Sequence, residues 1–142
     1  RRQRQMCIRD SCMEGELVAK FGIKICELET SKVYLFKEQS HPGRCIVAHK
    51  KHVGDMNELT AEERAAYFED VARVARAIMK AFNPDKVNYG AYGDTGHHLH
   101  FHLCPKYKDE YEWGGVFLMN PDKKYLTDEE YAAMIEKIKA NL

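Results

Sequence analysis

Short runs of β-branched and aromatic residues recur along the chain and predict five β-strands. Each run is four to eight residues long, as strands usually are, and each is bounded by residues that favour turns, such as Pro42-Gly43. Pro105 is expected to end the fifth strand, because proline lacks a backbone N–H group for the sheet. The predicted strands span residues 21–27, 32–36, 44–49, 86–92 and 97–104.

The apolar spacing changes to that of a helix between the third and fourth strands. Thr60 and Glu63 form a capping box that predicts the helix start, and Asn83-Pro84 predicts its end. A second capping box, Thr127 with Glu130, predicts a C-terminal helix. The apolar stripe of the first helix recurs every three or four residues at Tyr67, Val71, Val74, Ile78 and Phe82.

The predicted element order is β-β-β-α-β-β-α. The apolar stripe of the long helix needs a partner, and a sheet supplies one. The sequence therefore predicts an α+β fold, in which an antiparallel five-stranded sheet carries one long helix and a C-terminal helix.

Composition restricts the function classes. The chain has 142 residues, enough for one domain, and 22 Lys+Arg balance 22 Asp+Glu. Residues 1–12 carry four Arg and one Asp, a charge of +3, which leaves −3 for the rest. We expect residues 1–12 to be a non-native or disordered tail and residues 13–142 to form a single domain.

A neutral chain without a long apolar segment argues against nucleic-acid and membrane partners, and the odd cysteine count favours the cytoplasm.

Four of the seven histidines lie within residues 97–102. Strand alternation predicts that His98, His100 and His102 share one face, while Leu99, Phe101 and Leu103 occupy the other. Three interpretations are open: a solvated polar face, a zinc site, or catalysis by a nucleophilic imidazole. The outer two histidines would have Cα atoms roughly 13 Å apart, which suits a single zinc ion poorly.

The run His98-Leu99-His100-Phe101-His102-Leu103-Cys104 resembles the motif of the histidine triad (HIT) superfamily, in which histidines alternate with apolar residues. The segment from Pro42-Gly43-Arg44 to Lys50-Lys51-His52 is similar to the Pro-Gly-His and Lys-Lys-His segments of that family. Members are nucleotide hydrolases and transferases that act at the α-phosphate. The resemblance therefore implies a HIT-like fold and a small-molecule nucleotide substrate.

The resemblance also implies a role for individual residues. His100 would be the nucleophile, His98 would orient it, and His102 would contact the phosphate and assist the leaving group. Among the substrate-binding residues, Asn88 and Thr95 would contact the phosphate or the leaving group, His52 would line the pocket, and Glu38 is the candidate for the ribose. No cofactor is required, and Mg²⁺ is an optional companion of a polyphosphate substrate.

We therefore expect a hydrolase of nucleotide phosphoanhydrides or phosphoramidates, of the dinucleoside polyphosphate or adenosine phosphoramidate type, that forms a covalent nucleotidyl-histidine intermediate. The alternatives are a non-catalytic nucleotide-binding regulatory protein and a zinc-dependent hydrolase. A homodimer is expected from the resemblance. The loop 105–121 has no counterpart in the family pattern and could be a substrate lid, a dimer contact or a packed surface loop.

Overall fold

The computed structural model describes residues 16–94 and 96–142, so the predicted tail 1–12 and the candidate residue Thr95 lie outside the described residues. Within these residues, three α-helices, one short 3-10 helix (Met56–Glu58) and five strands follow one another. The helices are α1 (Glu16–Phe21), α2 (Ala61–Phe82) and α3 (Asp128–Lys139). The strands are β1 (Gly22–Glu27), β2 (Ser31–Phe36), β3 (Cys45–His49), β4 (Lys86–Gly90) and β5 (His100–Lys106).

The five strands form one antiparallel sheet in the order β1-β2-β3-β5-β4, which confirms the predicted α+β fold. Strand β5 is flanked by β3 on one side and by β4 on the other. His102 is paired with Ile46 of β3 and with Gly90 of β4, and His100 is paired with Ala48. The order of the strands therefore places the histidines on an internal strand, next to the edge strand β4.

Helix α2 covers the sheet face opposite these histidines. Its residues Tyr67, Val71, Val74 and Ile78 belong to the main core cluster, which also contains Leu99, Phe101 and Leu103. The predicted apolar side of the histidine segment is thus confirmed. Both predicted capping boxes are present as well, at Thr60 with Glu63 and at Thr127 with Glu130, and each satisfies free backbone N–H groups of the first helical turn.

The predicted boundaries of the fifth strand, residues 97–104, are wrong at both ends. The strand begins only at His100, because the Leu99 N–H group turns aside to donate to the Val53 carbonyl at 2.8 Å. It then continues through Pro105 to Lys106, whereas proline was expected to end it. Pro105 is paired with Val87 of β4, but pairing with β3 has already ended at Leu103. The missing N–H group of proline is tolerated because a neighbouring strand is present on only one side.

The other boundary predictions err by a few residues. The fourth strand ends at Gly90 and not at residue 92, and Phe21 ends the short helix α1, which the sequence pattern did not predict. Among the described residues, no helix is long and apolar enough to cross a membrane.

Candidate active site

Two cavities meet at His100 on the sheet face opposite α2. The larger cavity, of about 640 Å³, has largely aromatic and aliphatic walls. The smaller cavity, of about 500 Å³, is more polar and is lined in part by Asp55, Glu58 and His97. His100 lines both cavities. A ligand that occupied both cavities would therefore pass beside the His100 ring. Side chains lining the larger cavity include Tyr34, Phe36, Ile46, His102, Phe117 and Met119.

The hydrogen bond of His100 determines which of its ring nitrogens can act as a nucleophile. Its Nδ1 atom lies 2.6 Å from the main-chain carbonyl oxygen of His98. A carbonyl oxygen can only accept, so Nδ1 carries the proton and Nε2 keeps its lone pair. Burial lowers the pKa of His100, although the hydrogen bond to the His98 carbonyl works in the opposite direction. The imidazole is therefore neutral at neutral pH, with an available electron pair on Nε2.

His102 has the opposite tautomer. Its Nδ1 atom lies 3.1 Å from a terminal nitrogen of the buried Arg44 guanidinium. A guanidinium can only donate, so Nδ1 accepts and the proton of neutral His102 resides on Nε2. Burial, together with the charge of Arg44 and the proximity of His100, lowers the pKa of His102 to about 2. His102 is therefore a neutral N–H donor beside the His100 ring.

His98 is brought next to the other two histidines, but not as the sequence pattern predicted. It precedes β5 and does not belong to the strand. Its Nε2 atom donates to the His49 carbonyl oxygen at 2.5 Å, and its ring is not among those lining either cavity. What His98 offers to His100 is its own main-chain carbonyl, which accepts the Nδ1 proton. The predicted orienting role can therefore be served by the backbone of this residue.

Asn88 and His52, which the resemblance predicts to bind substrate, lie near the histidines of β5 but outside the two cavities. Asn88 is opposite Cys104 on β5, two positions along β4 from the Gly90–His102 pair, so it shares the sheet face of His102. The exposed ring of His52 lies 5.6 Å from that of His98. Neither residue lines the two cavities, and their binding roles, like that of Thr95, stay predictions.

Glu38 has contacts of a different kind. Its carboxylate is buried and accepts hydrogen bonds from Ser40 and from the backbone N–H groups of Lys123 and Lys124, at 2.6 to 2.9 Å. These bonds fasten the segment before α3 to the end of β2. The predicted contact with a ribose gains no support from these contacts, because both carboxylate oxygens are already engaged by the protein.

The loop after β5 forms part of the wall of the larger cavity and is tied down at several points. The buried Lys106 ammonium donates to the Glu112 and Gly115 carbonyl oxygens. The Glu112 carboxylate contacts the His41 ring at 2.7 Å and accepts the Leu118 N–H at 3.0 Å. These contacts hold Phe117 and Met119 against the cavity. Of the roles open for loop 105–121, the described contacts fit a fixed wall better than a lid.

Arg44 is a residue of this site that the sequence pattern does not predict. It is fully buried directly before β3, between the Phe36 and Phe117 rings. The available signal is a charged residue directly between Pro42-Gly43 and the apolar run 45–48, because a buried arginine in such a position must be held by specific partners.

A metal centre is not apparent in the described part of the chain. Within residues 16–94 and 96–142, no group of three or more His, Cys, Asp or Glu side chains could hold a metal ion. Such a cluster is what a structural or catalytic zinc site needs. The zinc interpretation therefore gains no support from the described residues.

Comparison with known proteins gives a consistent result. The model of the family described as HIT domain matches residues 22–109. The adenosine 5'-monophosphoramidase hnt1 of Schizosaccharomyces pombe is 27% identical over 143 residues, covering 96% of this chain and 98% of the relative. The bis(5'-adenosyl)-triphosphatase of Dictyostelium discoideum is 28% identical over 76 residues, or 50% and 51% of the two chains. The crystal structure of a histidine triad protein from Sinorhizobium meliloti 1021 superposes with a TM-score of 0.84 at 24% identity, covering 91% of this chain and 96% of that one.

Proposed function

The chain belongs to the HIT domain family, and we propose that it hydrolyses nucleotides at the α-phosphate through a covalent nucleotidyl–His100 intermediate. Relatives named as a phosphoramidase and a dinucleoside triphosphatase support a nucleotide hydrolase in general and suggest adenosine phosphoramidates or phosphoanhydrides as substrates. The observation that carries the proposal is the unprotonated Nε2 atom of His100 at the junction of two cavities.

In the first step, His100 acts as the nucleophile. The lone pair on Nε2 forms a bond to the α-phosphorus, the bond from phosphorus to the leaving group breaks, and the leaving group keeps that electron pair. The Nδ1 proton stays hydrogen-bonded to the His98 carbonyl, which stabilises the positive charge that develops on the ring. The Nε2–H group of His102 donates to an oxygen of the phosphoryl group.

In the second step, water releases the nucleotide. The water oxygen attacks the phosphorus, the bond between phosphorus and Nε2 breaks, and the electron pair returns to His100. One proton of the water passes to the solvent. The enzyme regains the neutral imidazole with which it began, so one substrate and one water give two products without any other reactant.

The two cavities suggest how the substrate lies. We place the nucleoside in the larger cavity, where Phe36, Ile46 and Phe117 offer apolar contact for a base. The leaving group then occupies the smaller cavity beyond His100. This placement puts the α-phosphate beside His100 and His102, whose ring centroids are 5.3 Å apart.

We also propose that the protein is a homodimer. Within the described residues, β4 pairs only with β5, and Tyr89 on this edge strand is half exposed. Such an edge can pair with a second copy of itself. Light scattering at several concentrations tests this point: a mass of one chain at all of them would contradict it.

A substrate panel tests the proposed function. Adenosine 5'-phosphoramidate and diadenosine polyphosphates are offered to the wild type and to His100→Ala, and AMP binding is measured by calorimetry for both. The proposal predicts turnover of at least one substrate class by the wild type, and AMP binding without turnover by the variant. AMP binding with no turnover of any substrate by the wild type would contradict the hydrolase and favour a regulatory protein.

A further inference from the structure

Arg44 is a buried cation whose surroundings are almost entirely uncharged. Its guanidinium lies 4.1 Å from the Phe36 ring centroid and 4.9 Å from that of Phe117. Two of its N–H groups donate to the Leu118 and Met119 carbonyl oxygens, at 3.1 and 3.0 Å. Among the described residues, no carboxylate lies within ion-pair distance of it. A charge buried at this cost calls for a function besides packing.

The charged group is directed at one atom of the catalytic centre. The nitrogen that donates to Met119 also lies 3.1 Å from Nδ1 of His102. Arg44 does not line either cavity, so a substrate would meet the His102 ring and not the guanidinium. The imidazole therefore stands between the buried cation and the phosphate site.

We propose that Arg44 is a positioning residue that fixes His102 in its Nε2–H tautomer and makes it a permanent hydrogen-bond donor to the phosphoryl group, not a general acid. Arginine has no acceptor atom, so the Nδ1–H tautomer would set two donors against each other at 3.1 Å. The cation also polarises the ring and strengthens the Nε2–H donor. The chemical part of this proposal rests on the proposed function, whereas the tautomer does not.

The other groups around His102 do not oppose the effect of Arg44 on its tautomer. From β5, His100 faces the His102 ring as a neutral ring. Phe36 of β2 and Phe117 of the loop after β5 also face His102 with uncharged rings. Their ring centroids lie 5.6 and 6.3 Å from that of His102. The ionisable groups that act on Arg44 from further away are Cys104, Glu38, Glu112 and Tyr92.

A general acid gives up one proton and takes up another. His102 cannot do this through Nδ1, because Arg44 occupies that atom and keeps the ring from becoming an imidazolium ion. When the bond to phosphorus breaks, the leaving group departs with the electron pair, and any proton it takes comes from the solvent or from the substrate itself. His102 stabilises the charge on the phosphoryl oxygens throughout, as a fixed dipole does.

Nitrogen NMR of the full chain with labelled histidine tests the tautomer without reference to activity. We expect the His102 signals of the wild type to show a protonated Nε2 and an unprotonated Nδ1 from pH 5 to pH 9. Arg44→Gln offers either a donor or an acceptor to Nδ1 and should allow both tautomers and a titration nearer the ordinary histidine range. Arg44→Lys keeps a donor-only cation and should preserve the Nε2–H form. A protonated Nδ1 or an imidazolium ion in the wild type at neutral pH would overturn the proposal.

Two substitutions of His102 test the chemical role and do not depend on the folding of the Arg44 variants. His102→Gln can accept from Arg44 through its carbonyl oxygen and still donate an N–H to phosphate, whereas His102→Ala can do neither. We expect kcat to fall by about 10²–10³-fold in the alanine variant, as for the loss of an oxyanion donor. The glutamine variant should stay within about tenfold of the wild type, because it keeps the donor. Equal losses in both variants would contradict the assignment of His102 as a hydrogen-bond donor only. A wild type with no turnover would instead contradict the proposed function, and the tautomer would still be decided by NMR.

Discussion

His100 and His102 lie side by side on β5 with their ring centroids 5.3 Å apart, and they present opposite hydrogen-bonding atoms to the same cavity. The His98 carbonyl fixes a proton on Nδ1 of His100, and the Arg44 guanidinium fixes a lone pair on Nδ1 of His102. One ring therefore offers an electron pair through Nε2 and its neighbour offers a proton donor. This combination suits the attack of a nucleophile on a phosphate and the stabilisation of the charge on its oxygens.

The pH dependence of catalysis should reflect His100. Its neutral form is the nucleophile in the proposed mechanism, and burial lowers its pKa from the ordinary value of 6.5. We expect kcat/KM for adenosine 5'-phosphoramidate to be constant from pH 8 to below pH 6.5 and to decline only at lower pH, where the free enzyme takes up the proton. The measurement is a profile of kcat/KM at constant ionic strength. An acid limb centred at or above pH 6.5 would contradict a lowered pKa.

The free energy of unfolding should decrease as the solution is made acidic. Burial lowers the pKa of His102 to about 2 in the folded chain. In the unfolded chain the same side chain takes up a proton near pH 6.5, where the folded chain stays unprotonated. Stability is therefore fully present above about pH 6.5 and is lost as the pH falls below it; between pH 7 and pH 5 this residue alone accounts for ~2 kcal/mol. The pKa is also lowered, chiefly by burial, in His41, His49, His98 and His100.

Urea unfolding at pH 7 and pH 5 measures this loss, and His102→Gln is the matched control. The variant has no group to titrate at this position, so its stability should fall by less than that of the wild type over the same interval. Identical losses in the two proteins would show that His102 is not held neutral in the folded state.

Asp70 connects α2 to the turn between β1 and β2. Its carboxylate accepts hydrogen bonds from the Thr30 backbone and hydroxyl and from the Ser31 hydroxyl, at 2.7 to 2.9 Å. Asp70→Ala should lower the free energy of unfolding by about 2–3 kcal/mol, because it leaves buried donors without an acceptor. Urea denaturation measures the effect. The exposed neighbour Glu69 provides the control Glu69→Ala, for which we expect a change within about 0.5 kcal/mol; equal effects would contradict the assigned role of Asp70.

Glu112 should influence substrate binding more than the chemical step. Its carboxylate joins His41 to the Leu118 N–H and so fixes the loop that carries Phe117. Glu112→Ala should raise KM by roughly three- to tenfold, since about 1 kcal/mol of contact with the cavity wall is lost. We expect kcat to change less, because His100 is held by the His98 carbonyl. The exposed Glu110 gives the control Glu110→Ala, and a selective loss of kcat in Glu112→Ala would contradict this assignment.

The sequence predicted most reliably those features that depend on neighbouring residues. The capping box at Thr60 and Glu63 and the apolar stripe of α2 are local signals, and both are present in the structure. Strand alternation likewise placed Phe101 and Leu103 against that helix. The error at Pro105 has a different origin: whether a proline ends a strand depends on which sides of the strand have partners, and that is a property of the whole sheet.

The arrangement of the site was harder to predict from the sequence, because its contacts join residues that are far apart along the chain. Arg44 and His102 are 58 residues apart, and nothing in the local pattern indicates that one would set the tautomer of the other. Similarly, Glu38 is bound by the backbone of Lys123 and Lys124, about 85 residues away, so its carboxylate could not be recognised as a structural anchor from its own segment.

The central claim is that Nε2 of His100 becomes covalently bonded to the nucleotide. Radiolabelled substrate is mixed with the full chain, the reaction is stopped under alkaline conditions that preserve a phosphorus–nitrogen bond, and the labelled peptide is sequenced by mass spectrometry. We predict acid-labile nucleotide on His100, attached at Nε2 because Nδ1 is occupied by the His98 carbonyl, and no label in His100→Ala. Label on another residue, or full turnover by His100→Ala, would contradict the account.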